Sequence, residues 1–236
     1  MSGSILLIET ATRHAVVALG DQNGTLLAAE QWPSLHRHGE ELLPRLDGLL
    51  AAAGTPRSAL AGVAVGIGPG SFTGLRIGIA TAKTIAYALG LPITGRPTMQ
   101  LLARAAAPAA GADSRLAVVL PAGVGDRYVG RYEIVGGAVR QLVPPTLFAA
   151  GDVSAHAAAG DRLVAVDLPP GEAGAAADEL GRQAQAGLAA ALAAEAAAAL
   201  AGRRSDDLAA LVAQYVALPR GVPATTEEMA WSPDLR

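Results

Sequence analysis

The sequence predicts an α/β protein of two lobes, each a mixed β-sheet covered by helices. The chain opens with strand and helix signals in the order β-β-β-α-β-α, and much the same plan starts again near residue 114. A stretch rich in Ala, Pro and Gly, residues 107–113, separates the two runs as a lobe boundary should. The composition, 51% apolar against 17% charged, is that of a chain that buries a core. A length of 236 residues accommodates two lobes of about 100 residues each. The expected division is a first lobe over 1–106, a second over 107–217, and an irregular tail over 218–236.

Residues 5–8, 15–19 and 26–32 are Leu-rich or β-branched runs. Asn23-Gly24, between the last two, is a strong hairpin signal, so the chain opens as a three-stranded antiparallel meander. A helix is predicted over 40–53. Leu42, Leu43, Leu46, Leu49 and Leu50 form its apolar stripe, Glu40 and Glu41 suit its positive end, and Gly54 stops it. Pro44 is tolerated near that start. Residues 63–67 read as a buried strand. The glycine-rich segment 66–74 then feeds a helix running to about Leu89, with Gly90 and Pro92 beyond it. Residues 92–94 form a short strand, and Thr98 caps a helix through Ala106.

In the second run, 116–120 is a strand, 128–135 and 139–143 make a hairpin about Gly136-Gly137, a short helix starts near Asp152, and 163–166 is a strand. Helices are predicted over 175–201 and 206–216. The alanine-rich helix carries Glu195 and is too weakly apolar to read as a membrane span. Pro219, Pro223 and Pro233 break the tail, where Trp231 is the expected anchor. A duplicated β-β-β-α-β-α plan is the mark of the actin-like, ribonuclease-H-type ATPase fold, two lobes facing each other across a cleft.

Several chemistries are disfavoured by composition. With no cysteine there is no disulfide and no thiolate site or nucleophile. A net charge of -3 argues against a freestanding nucleic-acid binder. No basic segment precedes the first strand, so no signal peptide is expected and the location should be cytoplasmic. His36 and His38 are two apart and cannot share a helix face, and His14 and His156 stand alone, so no metal site is expected.

The most informative stretch is Gly66-Ile67-Gly68-Pro69-Gly70-Ser71-Phe72-Thr73-Gly74-Leu75-Arg76-Ile77-Gly78. A glycine-rich strand-to-helix loop can cradle an anion. Yet no Gly-Lys-Ser/Thr follows, the third glycine of a dinucleotide fingerprint is misplaced, and Ser71 lacks the spacing of a nucleophile elbow. In the helix that follows, Gly74, Gly78, Ala82 and Ala86 recur every fourth residue on one face. Two glycines cost a helix about 1 kcal/mol each relative to alanine. Close approach of another backbone offsets that cost, from the chain's own sheet or from a second polypeptide.

The run from Gly68 to Gly78 resembles the signature of the TsaB (YeaZ) family. Ile-Leu-Leu-Ile-Glu-Thr-Ala-Thr at 5–12, His38-Gly39-Glu40-Glu41-Leu42-Leu43-Pro44, and Leu91-Pro92-Ile93-Thr94-Gly95 with Thr98 are similar to the family in order and spacing. The likeness covers about 4–105 strongly, and beyond that only 128–133 and 211–218. It implies the actin-like fold and a non-catalytic subunit in formation of threonylcarbamoyladenosine on tRNA, at the adenosine next to the anticodon. The implied partners are the catalytic, metal-bearing homologue TsaD, which transfers the threonylcarbamoyl group, and the ATPase TsaE, with tRNA met only indirectly and no membrane. Pairing in the family uses the first two helices, which here carry Leu42, Leu46, Leu49 and Leu50 and Gly74, Arg76, Gly78 and Ala82. A bulky residue at Gly78 is then expected to abolish pairing and spare the fold. The same helices leave open a two-fold homodimer when TsaD is missing.

Two departures from the family pattern bear on chemistry. Glu9 stands where the family has Asp, and Leu120-Pro121-Ala122-Gly123 stands where an Asp-Ala-Arg turn is common. An actin-like ATPase needs carboxylates at both turns to organise metal and water. The expected reading is a degenerate phosphate-facing loop of Glu9, Thr10, Gly70, Ser71 and Thr73, with no catalytic residue, no metal and no cofactor bound by this chain alone. ATP would enter only at the joint of the complex. The competing expectation is a stand-alone actin-like ATP hydrolase or carbamoyl transferase, with a peptidase the least supported.

Overall fold

The computed structural model describes residues 3–34, 37–111, 113–123, 125–149, 157–202 and 205–216. The first sheet is built from β1 (Ser4–Glu9), β2 (His14–Gly20), β3 (Leu26–Pro33), β4 (Leu60–Gly66) and β5 (Ile93–Arg96), in the order β3-β2-β1-β4-β5. The meander pairs antiparallel, whereas β4 and β5 add in parallel after helical crossovers. The second sheet contains β6 (Arg115–Pro121), β7 (Asp126–Val135), β8 (Ala138–Ala149) and β9 (Asp161–Ala165), in the order β8-β7-β6-β9. Its four strands repeat the plan of the first four of the first sheet: a meander, then a parallel fourth strand beside the first. The architecture is the actin-like, two-sheet α/β fold.

Among the described residues four α-helices complete it: α1 (His38–Ala52), α2 (Phe72–Leu89), α3 (Thr98–Ala110) and α4 (Ala175–Ala201). β1 and β2 are buried on both faces, which is why they read as continuous apolar runs rather than alternating ones. One core joins Leu6, Ile8, Val17 and Val63 to Leu42, Leu46, Leu75 and Ile79 of α1 and α2. The other lies between the two sheets, where Leu7 and Val16 meet Leu101 and Leu102 of α3, Leu188 and Leu192 of α4, and Val118 of β6. α4 is long and apolar enough to cross a membrane, yet its inner residues pack on both sheets as a core helix does. Alanine suits that place, because a small side chain lets sheet and helix approach closely.

Three expectations about chain organisation change. Residues 206–216 form no helix. Asp207 caps a single turn, accepting from Ala209 and Ala210 N–H at 2.7 and 2.9 Å, and the chain then extends. Nor does this segment belong to the second lobe. It covers the open edge of β5 and the end of β4: Asp206 N–H donates to Ile93 C=O (2.8 Å), Gly95 N–H to Asp206 Oδ2 (2.7 Å), and Gln214 N–H to Ile67 C=O (2.7 Å). An edge strand must satisfy its free backbone groups, and here the returning chain does so. Finally, α3 runs through Ala110, past the boundary expected at residue 107, and α3 and α4 serve both sheets at once. The short helix expected near Asp152 and the tail over 218–236 with Trp231 lie outside the described residues.

Candidate functional site

The glycine loop between β4 and α2 is stapled to the turn after β1. Thr10 Oγ1 donates to Gly74 C=O at 2.8 Å, and Ser71 N–H donates to Ala11 C=O at 2.7 Å. Ser71 Oγ caps α2 by accepting from Gly74 N–H at 3.2 Å. The glycines are there for proximity. A Cβ on Gly66 would stand 1.8 Å from Glu9 Oε2, one on Gly70 2.3 Å from Ala11 O, and one on Gly74 2.1 Å from Thr10 O.

This geometry corrects the expected phosphate-facing set. Glu9 and Thr10 are fully buried, Gly70 abuts Ala11, and the Ser71 hydroxyl is engaged in the cap, so Thr73 is the one member with an exposed side chain. Glu9 Oε1 accepts from Ala11 N–H (2.6 Å) and Oε2 from the Thr98 hydroxyl (2.8 Å). Burial pushes its pKa up to about 7, against the opposing pull of hydrogen bonds from Ala11, Thr98 and Thr10. A sealed carboxyl of this kind holds a loop in place; it does not face a metal or an attacking water.

Across the groove, Asp167 follows β9 in a left-handed conformation (φ 61°). Its Oδ2 accepts from Arg13 N–H at 2.6 Å, and its Oδ1 from Gln185 Nε2 at 2.7 Å. Gln185 also approaches His14 Nδ1 at 3.4 Å. Asp167 is therefore engaged in joining the lobes. At the second turn, Ala122 N–H bonds Asp126 C=O (2.9 Å), and the neighbouring Arg127 forms a bidentate pair with Glu172 at 2.6 Å for both bonds. Among the described residues no group of three acidic or histidine side chains is placed to hold a metal. His38 is buried at the start of α1, and His36 and His156 lie outside the described residues.

The residues expected to touch a partner are corrected as well. Leu42, Leu46, Leu49 and Leu50 point into the core beneath α1. Gly74 and Gly78 face the turn after the chain's own β1, with Gly78 so close to Thr10 that a Cβ would lie 2.1 Å from Oγ1, and Ala82 is buried in the core beneath α2. The small-residue stripe is a helix-on-sheet contact. Of that set, Arg76 alone is exposed, its guanidinium 4.1 Å over the Phe72 ring, which leans on Tyr215 at 5.5 Å.

What α1 and α2 leave outward is a different row. α1 shows Glu40, Leu43 (53% exposed), Pro44, Asp47, Gly48, Ala51 and Ala52; α2 shows Arg76, Ala80, Thr84 and Tyr87 (80% exposed). The two helices pack on each other, with Gly39 against Ile77. Leu43 belonged to the leucine run in the sequence, and only its offset by one from Leu42 marked it as outward. Asp167 carried no local signal at all, because its partners are 154 and 18 residues away in the chain.

A family model described as TsaD, tRNA N6-adenosine threonylcarbamoyltransferase, matches residues 33–229. The tRNA threonylcarbamoyladenosine biosynthesis protein TsaB of Escherichia coli (strain K12) is 35% identical over 129 residues, which is 55% of this chain and 54% of that protein. The protein of the same name from Bacillus subtilis (strain 168) is 30% identical over 141 residues, 60% of each chain. The matched stretch thus spans little more than half the length of these curated relatives. Among solved structures, YeaZ from Pseudomonas aeruginosa is similar over 90% of this chain and 99% of its own, with a TM-score of 0.67 and 26% identity. The chain belongs to the TsaB (YeaZ) family, within the broader TsaD-type family whose model spans most of its length.

Proposed function

We propose that this protein is a non-catalytic subunit required for threonylcarbamoyladenosine formation on tRNA, acting by pairing with the catalytic subunit TsaD and assembling with the ATPase TsaE. The supporting observation is the contrast between two regions of the first lobe. The loop that would serve phosphate chemistry is filled by Glu9 and Thr10, whereas α1 and α2 turn an exposed row of Leu43, Gly48, Ala51, Ala80, Thr84 and Tyr87 outward.

That row suits a partner of the same fold. In this reading a TsaD-type subunit, whose family model this chain matches, brings its own first two helices, so that two such pairs pack about a pseudo-two-fold axis. Small residues at Gly48, Ala51 and Ala80 allow close helix approach, and Leu43 and Tyr87 supply the apolar anchors. Contact with tRNA falls to the partner, in keeping with the net charge of -3.

The experiment is a reconstitution. Purified TsaD and TsaE are incubated with tRNA and a threonylcarbamoyl donor, with and without this chain, and the modified nucleoside is measured. Modification that depends on this chain, with no ATP hydrolysis or transfer by the chain alone, is expected. Equal modification without it, or turnover by the isolated chain, overturns the proposal.

A further inference from the structure

Every hydrogen bond that reaches the Glu9 carboxyl is donated to it. Ala11 N–H donates to Oε1 at 2.6 Å, and the Thr98 hydroxyl donates to Oε2 at 2.8 Å. The same hydroxyl oxygen accepts from Gly68 N–H at 3.0 Å, and Gly68 returns its carbonyl to Thr98 N–H at 2.8 Å. One carboxyl therefore links the end of β1, the glycine loop and the start of α3. Gly66 closes the remaining side, so no route to water is left.

Two demands on this group conflict. The inward donors suit a carboxylate, whereas full burial favours the neutral acid. A proton on Oε2 would point at Thr98 Oγ1. A threonine hydroxyl has one hydrogen, which must then leave Glu9 and turn elsewhere. Thr98 Oγ1 accepts from Gly68 N–H and donates to Glu9 Oε2. Turned away from Glu9, that hydrogen competes with the Gly68 N–H for the space around the same oxygen.

We propose that Glu9 and Thr98 form a proton-linked clasp: with Glu9 ionised the Thr98 hydroxyl donates to it and anchors Gly68, and with Glu9 protonated that bond reverses and the glycine loop loosens at Gly68. The proton comes from bulk water during a local opening. The titratable and charged residues on the surrounding elements are Arg13 and His14 after β1, Arg76 and Lys83 on α2, Arg96 on β5, Arg104 on α3 and Glu195 on α4. None of them contributes to the position of Glu9's titration, which burial and hydrogen bonds set near neutrality. The loop carries Ser71, the cap of α2, so the clasp acts on the first turn of that helix, where Phe72 and Arg76 are exposed. This inference does not depend on the proposed function.

The test is NMR of the full chain with 13C-labelled glutamate and 15N-labelled backbone between pH 4 and 9. The Glu9 carboxyl is expected to titrate more than one unit above the other glutamates, and the Gly68 amide to shift with the same midpoint. Below that midpoint Gly68 exchange, corrected for its intrinsic pH dependence, should be roughly tenfold faster, as loss of one hydrogen bond allows. Glu9→Gln is expected to abolish the Gly68 response. Thr98→Val should raise the Glu9 midpoint further, and Thr98→Ser, which keeps the hydroxyl, should retain the wild-type behaviour. Titration of Glu9 with the other glutamates overturns the clasp, as does a Gly68 amide that ignores the Glu9 midpoint. Should Thr98→Val fail to fold, those two wild-type titrations still decide the matter.

Discussion

Gly78 sits against Thr10 so closely that a Cβ on the glycine would lie 2.1 Å from the threonine Oγ1. Thr10 cannot retreat, because its hydroxyl is donated to Gly74 C=O one turn earlier on the same helix. Gly78→Val should therefore lower stability by about 3 kcal/mol, the upper range for overpacking a core. Urea denaturation checks this. Unchanged stability would return the stripe Gly74, Gly78 and Ala82 to the role of a free surface.

The outward row on α1 and α2 should behave in the opposite way. Leu43→Glu and Tyr87→Glu alter side chains that are 53% and 80% exposed. Surface changes of this kind shift stability by no more than about 0.5 kcal/mol. Desolvating a new charge there should nonetheless weaken the proposed pairing with TsaD at least tenfold, in keeping with loss of one anchor. Calorimetric titration of folded variants measures it. Retained affinity in both would place the partner elsewhere.

How much of this was legible beforehand follows from the range of the interactions. The four helices and nine strands of the described residues, and the repeated plan, rest on local period and turn chemistry, which a sequence carries directly. The glycines of 66–78 also announced close approach, but not what approaches: Thr10 lies 64 residues from Gly74. The periodic leucines of α1 marked an apolar face without saying whether a sheet or another chain covers it, and burial beneath the helix settles it for Leu42, Leu46, Leu49 and Leu50. Residues 206–216 have helical composition, yet the open edge of β5 offers them backbone partners that a helix could not satisfy. Tertiary demand there outweighs propensity.

The lobes are held by Asp167, whose carboxylate bridges Arg13 N–H and Gln185. Asp167→Ala removes both acceptors and leaves a left-handed alanine, so Arg13 should lose about 1–2 kcal/mol of protection. In hydrogen exchange that is roughly a tenfold faster Arg13 amide. Asp167→Asn keeps an acceptor and tolerates positive φ, and should recover most of the loss. An Arg13 amide equally protected in wild type and Asp167→Ala would show that the lobes are joined by their shared helices alone.

Glu9 makes stability depend on pH in a direction opposite to that of most carboxylates. Its folded pKa of about 7 lies above the ordinary value of 4.5. Below pH 4.5 the group is neutral in both states and adds no term. Between 4.5 and 7 the unfolded chain releases its proton while the folded chain holds it, so stability falls as pH rises. Above 7 the folded form ionises too, and the cost levels off at about 3 kcal/mol, from about 1.4 kcal/mol per pKa unit. Glu9→Gln removes the titration and keeps an amide oxygen to accept from Ala11 N–H. Its stability relative to wild type should thus rise from pH 4.5 to 7 by up to that amount and stay constant above. Thermal melts of both proteins across this range measure the difference. A gap that does not widen with pH would mean that Glu9 is ionised in the folded protein well below neutrality, with its three hydrogen bonds outweighing burial.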